Sequence, residues 1–294
     1  MLISAASLLL LRDPSPGVRP TDGAPVLAGP GSPAVTPGLL RADPDRDVPP
    51  GRDTGQAEDQ LADNVLAGIT LRDTTCPELH LPQAPVPDAE LEAFLEAQID
   101  CLTRVHTEPL AEAGIALDRP ALAPESALAR SGCIVDAEEH DDDWAGLYCG
   151  ADNTIYFRTN RESTAPLHHV EVITHEFAHH LQQQTGLLAR VSRAQAATET
   201  EPNGAARAQE LSRRLELQAE CLTGMAMSPE GPLAVRPSDF SELVNKRGAV
   251  PPEWAATHGT GRAQTRWFKA GAAATGPDRL AVCNTFAAPA ELVD

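Results

Sequence analysis

Lysine is almost missing from this sequence: only Lys246 and Lys269 occur, although arginine is plentiful. That bias fits a GC-rich genome better than any function. Positive charge is scarce as a whole. Lysine and arginine together number 23 against 42 aspartates and glutamates, giving a formal charge of −19. Binding phosphate backbones needs a basic surface, so nucleic acid is excluded as a partner. A long hydrophobic run is missing too. Leu2 to Leu11 is an apolar run ending at Arg12, far short of the roughly 20 residues that span a bilayer. It also lacks the basic n-region of a signal peptide. It reads either as the tail of a signal or anchor segment that starts upstream, or as a frayed apolar end. Membrane contact is expected at most through this end. No repeat of fixed period is visible, and no cysteine pair has C-x-x-C spacing.

What is present divides the 294 residues in two. From Asp13 to Asp59 proline, glycine, aspartate, alanine and arginine dominate, with no apolar periodicity. Such a stretch cannot bury enough apolar surface to offset its ordering entropy. Residues 1–60 are therefore expected to be an apolar end followed by a disordered linker, and 61–294 one folded domain. All six cysteines, Cys76, Cys101, Cys133, Cys149, Cys221 and Cys283, fall in the second part. An even number confined to a folded domain fits disulfides, and hence export to an oxidising compartment, better than six buried thiols in the cytosol. Spacing leaves their connectivity open.

Asp88 to about Ala113 reads as a helix, with Leu91, Phe94, Leu95, Ile99 and Leu102 at three- and four-residue steps and Asp88 as N-cap. Between Cys133 and Cys149 lies an acidic stretch, Glu138, Glu139, Asp141, Asp142 and Asp143. It lacks EF-hand spacing and reads as a solvated loop rather than a calcium site. Gly150 to Asn153 reads as a turn and Thr154 to Phe157 as a short strand.

The chemistry sits in the next segment. From Pro166 to Thr185, Val170, Ile173, Phe177 and Leu181 recur at helical spacing, and Gly186 supplies a stop. Inside this helix stands His175-Glu176-Phe177-Ala178-His179. Histidines four apart on a helix lie about 40° from eclipsed and roughly one turn apart, so both imidazoles can reach one metal ion. Glu176 is offset so that its carboxylate can face a metal-bound water. By chance alone an H-E-x-x-H arises in about one chain in fifty of this length, so a further ligand is required to support it. A polar helical face with surface histidines is the competing reading. His180 points elsewhere and is expected to be a surface or packing residue.

A catalytic zinc takes three protein ligands and keeps an open position. From about Gly204 to Met227 a second helical pattern carries Leu211, Leu215, Ala219 and Leu222 on one stripe. Glu216 and Glu220, four apart, lie beside it among apolar neighbours, so these carboxylates are expected to face inward toward a partner. One can bind metal while the other accepts the ring N–H of a ligating histidine. Spacing does not decide which does which.

Taken together, these stretches resemble the bacterial putative neutral zinc metallopeptidases. Val172 to Gln183 resembles that family's first zinc helix, and Leu215 to Gly224 its second. Tyr148 to Phe157, Thr257-His258-Gly259-Thr260 with Arg266-Trp267-Phe268, and Cys283 to Phe286 are similar to further family segments. The likeness runs from about Leu61 to Phe286. It implies that Glu216 is the third zinc ligand and that Glu220 supports a histidine. It also implies pairings of Cys133 with Cys149 and Cys221 with Cys283, leaving Cys76 with Cys101. Two positions depart from the family's usual pattern: Ala178 stands where glycine is usual, and Glu220 where aspartate is.

The resemblance implies hydrolysis of peptide bonds in a peptide or protein substrate, with Zn2+ as cofactor and Glu176 as general base. His258, followed by glycine within a family segment, is the candidate donor to the developing oxyanion, and Tyr156 a weaker one. Two ligand-bearing helices behind a short strand imply an α+β, mainly helical fold of zincin type. The rival from another class is an inactive zinc-stabilised binding or regulatory domain at the cell surface. The retained Glu176 and a ligand set short of four speak against it. A cytosolic metal-dependent hydrolase with reduced cysteines is a third reading.

Overall fold

The computed structural model describes residues 10–11, 59–76, 86–131, 133–134, 145–158, 166–198, 200–248 and 250–294. In chain order its elements are β1 (Leu10–Leu11), α1 (Asp59–Ala62), α2 (Asp88–Glu112), β2 (Ala121–Pro124), β3 (Cys133–Ile134), β4 (Gly146–Cys149) and β5 (Thr154–Phe157). The helices α3 (Pro166–Gln184), α4 (Leu187–Thr198), α5 (Gly204–Met227), α6 (Pro237–Lys246), α7 (Pro252–His258) and α8 (Gly261–Ala273) follow. The expected linker, the acidic run from Glu138 to Asp143 and most of the Leu2–Leu11 run lie outside the described residues.

The architecture is α+β and mainly helical. Its three-stranded sheet has the order β2-β5-β4, with β2 parallel and β4 antiparallel to β5. The turn between β4 and β5 carries Asn153 at φ 55°, a left-handed position that asparagine tolerates. Only β5 is legible as a strand beforehand. β2 and β4 are four-residue segments holding alanine, proline or glycine, and long-range pairing rather than propensity makes them strands.

Helix α3 is buried along its whole length. Helix α2 covers one side, where Gln98 donates to the Val170 carbonyl and to Thr174 Oγ1, both at 2.8 Å. The sheet and α5 take the other sides. Asp88 is the first residue of α2 rather than its cap. Pro87 holds the cap position with no side-chain bond, and the Asp88 carboxylate sits in the positive first turn instead.

Helix α5 is the hub, packed against α3, α4, α7 and α8. Its crossing with α8 is backbone on backbone. A Cβ on Gly224 would fall 2.0 Å from the Phe268 carbonyl oxygen, and one on Gly271 1.8 Å from that of Cys221. Nothing larger than glycine fits either place.

The cysteines form three disulfides, Cys76–Cys101, Cys133–Cys149 and Cys221–Cys283, the pairings the resemblance implies. Such bonds are compatible with an exported protein. Among the described residues no helix is long and apolar enough to cross a membrane.

Candidate metal centre

Helix α3 presents His175 and His179 one turn apart, with ring centroids 4.8 Å apart and planes at 80°. Helix α5 crosses beside them and contributes Glu216. Its Oε2 lies 3.2 Å from His175 Nε2 and 3.3 Å from His179 Nε2, and the two nitrogens are 3.2 Å apart. The three donor atoms thus form a nearly equilateral triangle. A tetrahedral zinc with bonds of about 2.0–2.1 Å sets neighbouring donors about 3.3 Å apart. The triangle fits that ion, which these three residues would hold. Among the described residues these three are the histidine–carboxylate group whose donor atoms converge this closely.

The electrostatics point the same way. Burial alone would lower both imidazoles, but the Glu216 carboxylate outweighs it, raising His175 and pushing His179 up to about 9. Burial disfavours the Glu216 carboxylate too, yet the surrounding histidines hold it well below the usual carboxylate range. A buried carboxylate that draws protons onto two rings 3.2 Å apart is a site in want of positive charge. One divalent cation supplies it without placing two imidazolium rings in contact.

A polar side chain holds the His179 ring. Gln182, one turn beyond His179, accepts from His179 Nδ1 at 2.8 Å and donates to the Leu215 carbonyl and to Gln218 Oε1. That bond fixes the proton on Nδ1 and turns the Nε2 lone pair toward the triangle. Glu220, expected to accept the ring N–H of a histidine, has Oε1 3.7 Å from His175 Nδ1, beyond hydrogen-bond range. Its other oxygen accepts from Arg247 Nε at 2.8 Å. The competing cation explains the longer distance. Sequence reading missed both Gln182 and Arg247. The three-residue step from His179 could have flagged Gln182; nothing local flags Arg247.

Glu176 is fully buried, and its Oε2 accepts the Tyr148 backbone N–H of β4 at 2.7 Å. Its Oε1 is buried with no hydrogen-bond partner among the described residues. Burial pushes this carboxyl above its usual value, partly offset by the two histidines. His180 does not reach the surface. It packs between Tyr148 and Phe177 with its Nδ1 3.2 Å from the Tyr148 hydroxyl.

His258 is the last residue of α7, and its Nε2 lies 3.9 Å from Glu216 Oε2. Trp254 packs on its ring, and Thr257 Oγ1 lies 2.8 Å from its Nδ1. Gly259 ends the helix at φ 80°, against Leu217 of α5, where a Cβ would come within 3.1 Å of the leucine methyls. The glycine lets the chain reverse in contact with α5, which brings His258 to the metal triangle. Tyr156, the weaker candidate, gives its hydroxyl to Asp152 at 2.7 Å and is pushed up to about 12 by burial and that carboxylate. A cleft opens beside the triangle, walled by Val250, Pro251, Trp254 and His258.

The family model described as "Putative neutral zinc metallopeptidase" matches residues 84–286. The chain belongs to that family. Two curated relatives, both named "Uncharacterized protein YpfJ", come from Escherichia coli strain K12 and E. coli O6:H1 strain CFT073. Each is 29% identical over 198 residues, covering 59% of this chain and 63% of the relative. The chain therefore spans somewhat less than two thirds of the relatives it matches. No solved structure matches it. The span shared with the zinc metallopeptidase family contains the metal triangle, Glu176, Glu220 and His258.

Proposed function

We propose that the chain is a zinc-dependent peptidase of zincin type that acts outside the cytoplasm on peptide or protein substrates. The observation that carries this reading is the triangle of His175 Nε2, His179 Nε2 and Glu216 Oε2 with edges of 3.2–3.3 Å, next to a buried glutamate none of its members uses. Zinc bound there would supply Lewis acidity, lowering the pKa of water toward about 7 and polarising a carbonyl.

The protein's own groups do the rest. Glu176 is the proton carrier, taking a proton from the attacking water and giving it to the leaving amine. A carboxyl raised by burial suits both directions of that transfer, since its proton affinity approaches that of the groups it serves. The Tyr148 N–H holds one oxygen still, so that Oε1 does the exchange. His258, across the cleft, donates to the oxygen on which negative charge develops, and Trp254 behind it keeps the ring in place. Trp254, Val250 and Pro251 exclude water from the cleft and give a substrate side chain an apolar wall.

Glu176→Gln tests the reading. The variant is expected to keep one zinc per chain by metal analysis and to lose cleavage of a peptide library by at least about 100-fold. Undiminished cleavage would end the proposal. Metal uptake with no chelator-sensitive cleavage by the wild-type chain would favour an inactive zinc-stabilised domain.

A further inference from the structure

Arg247 is 2% exposed, and the proposed reaction does not use it. It follows α6 and lies at the base of the cleft. Its Nη1 sits 2.7 Å from Glu171 Oε1 of α3 and donates to the Leu243 carbonyl at 2.6 Å. Its Nε donates to Glu220 Oε2 of α5 at 2.8 Å. The guanidinium lies over the Phe268 ring, 3.6 Å from its centroid. One cation thus joins the two helices that carry the metal triangle. A buried ion triad is a weak way to stabilise a fold, because desolvation offsets its attraction. What the triad holds in place is therefore the informative question.

Glu216 and Glu220 stand one turn apart on α5 and both border the cleft. Chemically they are identical, and each has a carboxylate oxygen within 4 Å of a His175 ring nitrogen. Arg247 breaks the tie. Its Nε holds Glu220 Oε2 and leaves Oε1 3.7 Å from His175 Nδ1, on the far side of the ring from Nε2. Glu216 has histidines as its ion-pair partners among the described residues and stands beside both Nε2 atoms.

We infer that Arg247 is the positioning residue that selects the metal ligand: by restraining Glu220 it holds the site at two imidazoles and one carboxylate and keeps a second carboxylate from raising the coordination number above four. The inference rests on the zinc reading above. Lysine could not replace it, since a single ammonium cannot hold Glu171 and Glu220 in the fixed geometry of a fork.

Cobalt(II) in place of zinc makes the coordination number visible, because four-coordinate cobalt absorbs far more strongly in the visible range than five- or six-coordinate cobalt. Full-length protein would be loaded with cobalt as wild type, Glu171→Gln, Glu171→Gln/Arg247→Met, and the latter with Glu220→Gln added. The Glu171→Gln background avoids stranding two buried carboxylates. Glu171→Gln alone is expected to keep the wild-type spectrum. Adding Arg247→Met is expected to lower the absorption by about twofold or more as Glu220 joins the metal. Adding Glu220→Gln should restore it, an outcome that loss of a mere interhelical brace does not produce. If the double variant does not fold by circular dichroism, Arg247→Lys replaces it with the same readout. A folded variant with the wild-type spectrum overturns the inference and leaves the zinc reading standing. A wild-type chain that takes up no cobalt overturns both.

Discussion

Gln182 ties the metal centre to the helix pair that builds it. Its carboxamide oxygen accepts from His179 Nδ1, while its nitrogen donates across to α5 at the Leu215 carbonyl and at Gln218. The amide cannot turn over without losing all three bonds, so the His179 tautomer is fixed from outside the triangle. Gln182→Leu keeps the volume and removes the acceptor. It is expected to weaken zinc binding by about 10–100-fold in competition with a chromogenic chelator, with the helical circular dichroism unchanged. Affinity equal to wild type would mean that the tautomer is set by the metal alone. At this scale the two histidines are legible in the sequence, because a four-residue step on a helix has one geometric outcome. The choice between Glu216 and Glu220 is not. The same step serves both, and the group that separates them, Arg247, belongs to a different element brought in by tertiary packing. His258 is legible only through the family segment around it, since its approach to Glu216 depends on a reversal at Gly259 against α5.

The helices α2, α3 and α5 can be read in advance because each carries apolar residues at three- and four-residue steps, a trace that α3 keeps although it is buried on every side. Helices α6, α7 and α8 have shorter, alanine- and proline-containing sequences, and contact with α5 and its neighbours decides them. The α8 cap, where Thr260 Oγ1 accepts the Ala263 N–H, is a local signal that sequence reading passed over. The Cys221–Cys283 bond serves the same group of helices. It leaves α5 one residue after Glu220 and anchors the 3-10 turn at Arg279–Cys283, which packs on α5 and α8. Its sequence separation is 62 residues. For a loop of that size the chain-entropy model assigns about 4 kcal/mol of stabilisation. Cys221→Ala with Cys283→Ala is expected to lower the unfolding free energy by about 2–5 kcal/mol in a denaturant titration. A loss below about 1 kcal/mol would show that α5, α8 and the C-terminal turn are held by packing alone.

For the molecule as a whole, the acidic balance of −19 conceals an interior with several histidines, and acid acts on these in opposite senses. In the metal triangle the imidazoles are raised by Glu216. At His106 and His169 the shift is the reverse. Burial lowers His106 to about 4, with its Nδ1 2.8 Å from the Leu102 carbonyl, and burial next to His168 lowers His169 to about 4. Unfolded, each would titrate near its ordinary value of about 6.5. Between those limits the unfolded chain binds more protons than the folded one, so stability rises with pH across the window. It is complete above pH 6.5 and is progressively lost as pH falls toward 4. A shift of this size in one fully buried ring corresponds to about 3 kcal/mol at the acid end. Metal release and carboxylate protonation fall in the same range, so the wild-type curve alone would not isolate the effect. The difference between two proteins in the same metal state does. His106→Leu fills a similar volume without a titrating group. Its unfolding free energy relative to wild type is expected to improve by about 2–3 kcal/mol between pH 7 and pH 4. A difference that stays constant over that interval would mean that His106 is protonated in the folded chain, and that the core beneath α3 admits water to its ring.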